Sequence, residues 1–255
     1  MKRNRNLFLA IMLPGILLVG CSTDSDSDEE IEDSITYELP AAFSAFSTDN
    51  VTAIIDGSEV VIETNGLPNH TSPYWSQDHE LFVEPTVTSF DQMAPGTIDQ
   101  FNGSYTLRVP VNPTKAANST STGLGAIGIA VSGAVIYNDQ EGPNVPLDDA
   151  VVSLDYTAAH TGPQSYHYHL EPKAWSDDDD ELIGIIADGF LLYGRICPST
   201  ETYPTDLDES GGHTSITKYD SENESYHYHI LNELYLNQYY ILFPGDYQGT
   251  ANAIN

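Results

Sequence analysis

Tyr166-His167-Tyr168-His169 decides the fold, and the chain repeats it as Tyr226-His227-Tyr228-His229. Strict alternation over four residues predicts a β-strand, whose side chains point to opposite faces with period 2. His167 and His169 then share one face, and Tyr166 and Tyr168 share the other. Two residues along a strand span roughly 6.5–7 Å, so the paired imidazoles can converge on one ion or ligand. Each copy has a histidine upstream, His160 in Ala-Ala-His and His213 in Gly-Gly-His. The chain thus carries two groups of three histidines.

The repetition extends outward. Ile127 to Asn138 aligns without gaps on Ile183 to Gly194, with identity at Ile127/Ile183, Gly128/Gly184, Ile129/Ile185, Gly133/Gly189 and Tyr137/Tyr193. Each segment is an apolar run, a turn at Ser132-Gly133 or Asp188-Gly189, and a second apolar run, which reads as a hairpin. Two units of hairpin, lone His and Tyr-His-Tyr-His predict a duplicated, pseudo-symmetric domain with halves at about 124–172 and 181–232.

These pieces, together and in order, resemble the YHYH-domain proteins over roughly Asn65 to the C-terminus. The matching stretches include Asn65-Gly66-Leu67-Pro68-Asn69-His70, Ile127 to Asn138, His160 with the first motif, Asp188 to Gly194, and Asp208 to His213 with the second motif. The resemblance implies little about activity, but it adds His70 to the candidate ligands. Ala158-Ala159 departs from the Gly-Gly expected there, and Ser210 stands where a Cys is common, so no disulfide or Cys ligand is carried over to that position.

Residues 1–20 read as a bacterial lipoprotein signal peptide: a basic start at Lys2, Arg3 and Arg5, an apolar run, then Leu18-Val19-Gly20-Cys21. The run from Leu7 to Val19 is 13 residues, short of the roughly 20 that span a bilayer. Cys21 is the expected lipidation site, and residues 21–35 read as an acidic disordered tether. Ser22, which is not Asp, resembles outer-membrane sorting. The expected location is the cell envelope, with the chain anchored to the outer membrane on its periplasmic or surface face. Three of the eight basic residues lie in the signal, leaving five against 38 acids, a net −33. That field repels nucleic acid and attracts cations. With Cys21 committed to lipid, Cys197 is alone; an intramolecular disulfide is excluded, and Cys197 reads as a buried thiol rather than a ligand.

Residues 36–255 are expected to form the YHYH domain: mainly β, a single sandwich- or barrel-like domain with an internal pseudo-repeat and short helical pieces. Val51–Ile55 and Val60–Thr64 flank Asp56-Gly57 as a hairpin, and Tyr105–Val111 reads as a strand. Residues 65–70, with Tyr74, Trp75 and His79 after them, form a Pro- and Gly-bearing loop. Glu141–Asp149 reads as a connection from which Glu141 can reach a metal. Val151–Tyr156 reads as a strand or short helix, Asp177–Asp180 as an exposed insertion, and Leu234–Tyr247 as a last strand with helix–strand ambiguity over Glu233–Leu242.

The eight histidines fall in two triplets and one loop, with none elsewhere. Imidazole is the commonest transition-metal ligand, and three per centre suffice for Zn(II) or Cu(II). Soft donors other than Met93 and Cys197 are absent beyond the signal and Cys21, which disfavours a Cu(I) carrier. The expected function is therefore binding of a transition metal, copper or zinc, by His160, His167, His169, His213, His227 and His229. Asp188 and Asp208 are expected to fix imidazole tautomers. Whether the halves share one site or make two is left open. A metal-dependent hydrolase or oxidase, and a metal-free surface module binding carbohydrate between Tyr and His, are the alternatives. The tyrosines read as packing on the reverse face.

Overall fold

The computed structural model describes residues 36–255 other than Pro163, and residues 36–255 form one compact unit. The leader, Cys21 and the acidic tether lie outside the described residues.

The first hairpin forms where two apolar runs flank Asp56-Gly57. β1 (Val51–Asp56) pairs antiparallel with β2 (Glu59–Thr64), and β2 pairs with β3 (Tyr105–Pro110), giving a three-stranded sheet. Val60, Ile62, Leu107 and Val109 turn inward from it.

The second sheet has eight strands and contains both halves of the repeat. The first half supplies β4 (Gly128–Ala130), β5 (Val135–Ile136), then, after a small separate hairpin of β6 (Gln140–Gly142) and β7 (Val145–Pro146), β8 (Ala159–Thr161) and β9 (Tyr166–Tyr168). The second half supplies β10 (Leu182–Ile186), β11 (Leu191–Tyr193), β12 (Gly212–Thr217) and β13 (Asp220–His229). The spatial order is β12-β13-β11-β10-β4-β5-β9-β8. Read from either edge, the strands come in the same sequence: lone-His strand, motif strand, then the second and first strands of the apolar hairpin. In both halves the motif strand runs parallel to the hairpin's second strand, with Ile136 opposite Tyr168 and Leu192 opposite Tyr228. The predicted pseudo-twofold is therefore present in the pairing itself.

Its axis passes between β4 and β10, where Ile129 faces Ile185, its own repeat equivalent. Gly128 and Gly184 flank that pair for a steric reason. A Cβ on Gly184 would lie 2.3 Å from the Ile129 carbonyl oxygen, and one on Gly128 would lie 2.6 Å from that of Ile185. The two halves approach backbone to backbone here, and only glycine leaves room.

The sheets face each other across a shared core. Val60, Ile62, Leu107 and Val109 belong to the same buried cluster as Ile129, Ile136, Tyr166, Tyr168, Ile185, Leu192 and Tyr228. The large sheet is open, with β12 and β8 at its edges, so of the two expected architectures the chain adopts the sandwich-like one. Short 3-10 helices at Ala41–Ala45, Ile98–Phe101 and Ala150–Ser153 are its helical pieces; the last is the short-helix alternative expected at Val151–Tyr156, formed over the first part of that segment.

The expected final strand over Leu234–Tyr247 does not form. Leu236 and Asn237 take positive φ of 50° and 57°, closing a tight turn with Tyr235 bridged to Tyr239, and the rest makes only the single bridges Leu170–Ile241 and Thr120–Tyr247. Nor does Glu233–Leu242 form a helix. The acidic insertion is only partly bland. Asp178 reaches Arg195 at 2.9 Å, and Arg195 in turn donates to buried Glu171 at 3.0 Å. The Arg195 guanidinium stacks over Tyr240 at 3.7 Å.

Candidate metal centres

The alternation in the motif strands sorts the side chains as expected. Tyr166, Tyr168 and Tyr228 are fully buried in the core between the sheets, and Tyr226 is partly buried against it. The histidines occupy the other face, and all six are buried. Strand pairing brings the third member of each triplet alongside, with His160 opposite His167 and His213 opposite His227.

In the first half, His160 Nε2 lies 3.0 Å from His167 Nε2 and 3.2 Å from the Glu141 carboxylate. His169 Nε2 lies 3.2 Å from the same carboxylate oxygen but outside hydrogen-bond geometry, so it is a buried nitrogen without a hydrogen-bond partner. In the second half, His227 Nε2 lies 3.1 Å from His229 Nε2, and His213 Nε2 lies 3.5 Å from Cys197 Sγ. The described residues thus hold two groups of four donors, Glu141/His160/His167/His169 and Cys197/His213/His227/His229, each able to hold a metal ion.

The tautomers are set from behind. His169 Nδ1 donates to the Asn138 carbonyl and His229 Nδ1 to the Gly194 carbonyl, both at 2.7 Å. His227 Nδ1 donates to the Ser225 carbonyl at 2.9 Å and His167 Nδ1 faces that of Ser165 at 3.3 Å. His213 Nδ1 donates to the Asp206 carboxylate at 2.9 Å. Ser153 Oγ gives its own proton to the Ala150 carbonyl, so it accepts from His160 Nδ1 at 2.8 Å. With every Nδ1 facing an acceptor, each Nε2 presents a lone pair to its centre.

The spacings fit coordination. Four donors held tetrahedrally, with bonds of about 2.0 Å to nitrogen and about 2.3 Å to sulfur, stand about 3.3 Å apart for two nitrogens and about 3.5 Å for nitrogen and sulfur. The distances given above range from 3.0 to 3.5 Å. Burial and the neighbouring imidazoles hold the His167 pKa well below the ordinary histidine range, and the same causes bring His227 down to about 3. Burial, first of all, lowers His229 to about 4. The His160 and His169 imidazoles, each 3.2 Å from it, hold the Glu141 carboxyl well below the usual carboxylate range. Burial raises the Cys197 thiol, but hydrogen bonds with Ser199 and Ser215, with His213 nearby, leave it below its ordinary value. These shifts favour neutral imidazole at His167, His227 and His229 and the carboxylate at Glu141, and they make the Cys197 proton easier to lose than that of an ordinary thiol.

The structure separates the halves into two centres. The motif strands β9 and β13 are five strand spacings apart in the sheet, roughly 24 Å at the usual interstrand distance. Glu141 joins the first centre, as expected. Cys197, read from the sequence as a buried thiol rather than a ligand, is buried but sits among the donors of the second. A simple extension would have found it: carried three residues past Asn138 and Gly194, the ungapped alignment places Glu141 opposite Cys197.

Three other expectations are corrected. His70 is not in either centre; its Nε2 is 2.6 Å from the Tyr168 hydroxyl, on the opposite face of the strand. Asp188 and Asp208 do not touch imidazoles. Asp188 accepts from the Tyr228 hydroxyl at 2.6 Å and from the Gln248 and Gly249 amides, while Asp208 accepts from the Tyr226 hydroxyl at 2.9 Å. A strand sends neighbouring residues to opposite sides, so an acid reaching the tyrosine face cannot also serve the histidines. Asp155, not singled out from sequence, is the counterpart of Asp208. It accepts from the Tyr166 hydroxyl at 2.8 Å and stands five residues before His160, as Asp208 stands five before His213. His79 stacks on Trp75, with centroids 3.9 Å apart, remote from both centres. Three of the four motif tyrosines are fully buried, so these three side chains line no surface groove.

Over the first centre opens a cavity of about 440 Å³, lined by Ala94, Pro95, Tyr137, Gln140 and Ala150 beside the donors. Tyr137 stacks on His167 with centroids 3.9 Å apart.

No curated protein and no solved structure matches this chain. The family model described as YHYH protein matches residues 104–205, which takes in β3 through β11, the whole first centre and Cys197, and ends before the second motif. Over residues 104–205 the chain is similar to the YHYH protein family.

Proposed function

We propose that this is a lipid-anchored, extracytoplasmic protein that binds two transition-metal ions, copper or zinc, one in each half. One observation carries the reading. In each half, two buried Nε2 atoms lie 3.0–3.1 Å apart although their Nδ1 atoms are directed at acceptors. Two lone pairs facing each other at that distance repel, and a cation between them removes the repulsion. The anchor rests on Lys2, Arg3, Arg5 and the Leu18–Cys21 lipobox, and the acidic surface favours cations over nucleic acid.

Elemental analysis of purified protein, without a His tag, tests the metal reading. About two equivalents of copper plus zinc are expected. The double substitution H167A/H169A should remove one equivalent and leave the second centre filled; unchanged metal content in that variant sinks the assignment. For the anchor, labelled palmitate should enter the native chain and not Cys21→Ser, and labelling of the variant overturns it.

A metal-dependent enzyme, hydrolase or oxidase, is the second reading, confined to the first centre. The cavity over Glu141 and the histidines, with Tyr137 in its wall, favours it. A centre with a free coordination position activates water or polarises a bound group.

A further inference from the structure

The duplication preserved three donors and changed the fourth. His160/His213, His167/His227 and His169/His229 occupy equivalent strand positions and carry equivalent or like-acting Nδ1 partners. Glu141 and Cys197 occupy the matching fourth position. Their surroundings differ in the same sense as their chemistry. Cys197 is fully buried, with Ser199 Oγ at 3.0 Å, Ser215 Oγ at 3.3 Å and His213 Nε2 at 3.5 Å from its sulfur. The Glu141 side chain retains 29% exposure and borders the open cavity.

With three imidazoles common to both, the fourth donor sets the selectivity. Thiolate is soft and polarisable and favours copper. Carboxylate is hard, and with imidazoles and water it suits zinc. We infer that the two centres take different metals, copper at Cys197/His213/His227/His229 and zinc at Glu141/His160/His167/His169. Copper binding would displace the Cys197 thiol proton to solvent, and the two seryl hydroxyls would then donate to the metal-bound sulfur, the arrangement that stabilises a thiolate. This inference rests on the two-metal reading above and adds the identity of each ion.

The test uses the full chain, stripped of metal and given one equivalent each of Cu(II) and Zn(II). X-ray absorption at the two metal edges then reads the neighbours of each ion, in either copper oxidation state. One sulfur neighbour at the copper edge and none at the zinc edge is expected, with copper preferring the thiolate centre by about tenfold or more. Cys197→Ser should erase the copper–sulfur signal and scatter copper over both centres. Glu141→Cys should create a second copper–sulfur site, which keeps the test independent of how Cys197→Ser folds. Sulfur at the zinc edge, or equally at both, overturns the inference while leaving two-metal binding intact. Failure to retain any metal overturns both readings together.

Discussion

The two halves of the large sheet share one backbone plan and differ at the contacts that fine-tune it. In the second half, the buried Tyr228 hydroxyl is anchored by Asp188, which also gathers two backbone amides from the C-terminal segment. In the first half, Ser132 occupies the position of Asp188 and meets Tyr168 at 2.8 Å, with His70 as the second partner. One half uses a charged hub, the other a hydroxyl and an imidazole from a distant loop. A duplicated scaffold conserves what strand geometry demands, namely register and which side chains share a face. It tolerates change wherever a neighbouring segment can supply the missing hydrogen bond.

The largest break in the comparison should come at the pseudo-axis. Gly184→Ala drives a Cβ into the Ile129 carbonyl and should cost about 3 kcal/mol or more, with Gly128→Ala close behind because its contact is nearly as short. Chemical denaturation reads this, and a neutral Gly184→Ala would mean that the halves are not packed backbone to backbone. Next comes the tyrosine hub. Asp188→Ala removes the acceptor of a buried hydroxyl and of three amides, Phe190, Gln248 and Gly249, and should cost roughly 3 kcal/mol, against about 1 kcal/mol for Ser132→Ala, whose tyrosine keeps His70. Equal losses would remove the asymmetry argued here.

Acid should act on both ends of the sheet. In metal-free protein the folded-state pKa values of His227 and His229, about 3 and about 4, lie below the ordinary 6.5. The unfolded chain therefore binds more protons in that range. Stability from these groups is complete above about pH 6.5 and is lost as pH falls towards 4 and 3, by on the order of 3 kcal/mol per imidazole at the limit. Denaturation midpoints between pH 7.5 and 4 should fall accordingly, and less steeply in H227Q/H229Q; a flat profile in the native chain contradicts the burial argument. The smallest effect lies at the turn before the lone histidine. Ala158 holds φ of 64° where its counterpart Gly211 holds 80°. Ala158→Gly should stabilise by about 0.5 kcal/mol and Gly211→Ala should destabilise by about 1 kcal/mol, measured as opposite shifts in Tm.

Much of this was legible in the chain. Period-2 alternation put the histidines on one face and the tyrosines on the other, and the ungapped repeat from Ile127 and Ile183 predicted paired hairpins. The repeat also held the identity of the fourth donors, three residues beyond where the similarity stops being visible by eye. Glu141 and Cys197 share no chemistry that a reader would align on. Asp155 was hidden for a similar reason, since an acid five residues before a histidine becomes a signal only when the second copy is noticed.

Sequence alone determined the hairpins and motif strands, the duplication and the two triplets, because these follow from local periodicity and from identity between distant segments. Tertiary structure decided that the triplets stand at opposite ends of one open sheet and so form two centres. It also decided that Cys197 sits with His213, His227 and His229 in a group able to hold a metal ion, and that His70, Asp188 and Asp208 serve the tyrosines. Those outcomes depend on which face of a strand a distant loop reaches, and that is set by the parallel pairing of β5 with β9 and of β11 with β13. No local pattern encodes it, because a parallel pairing joins segments that the chain connects only through a long crossover.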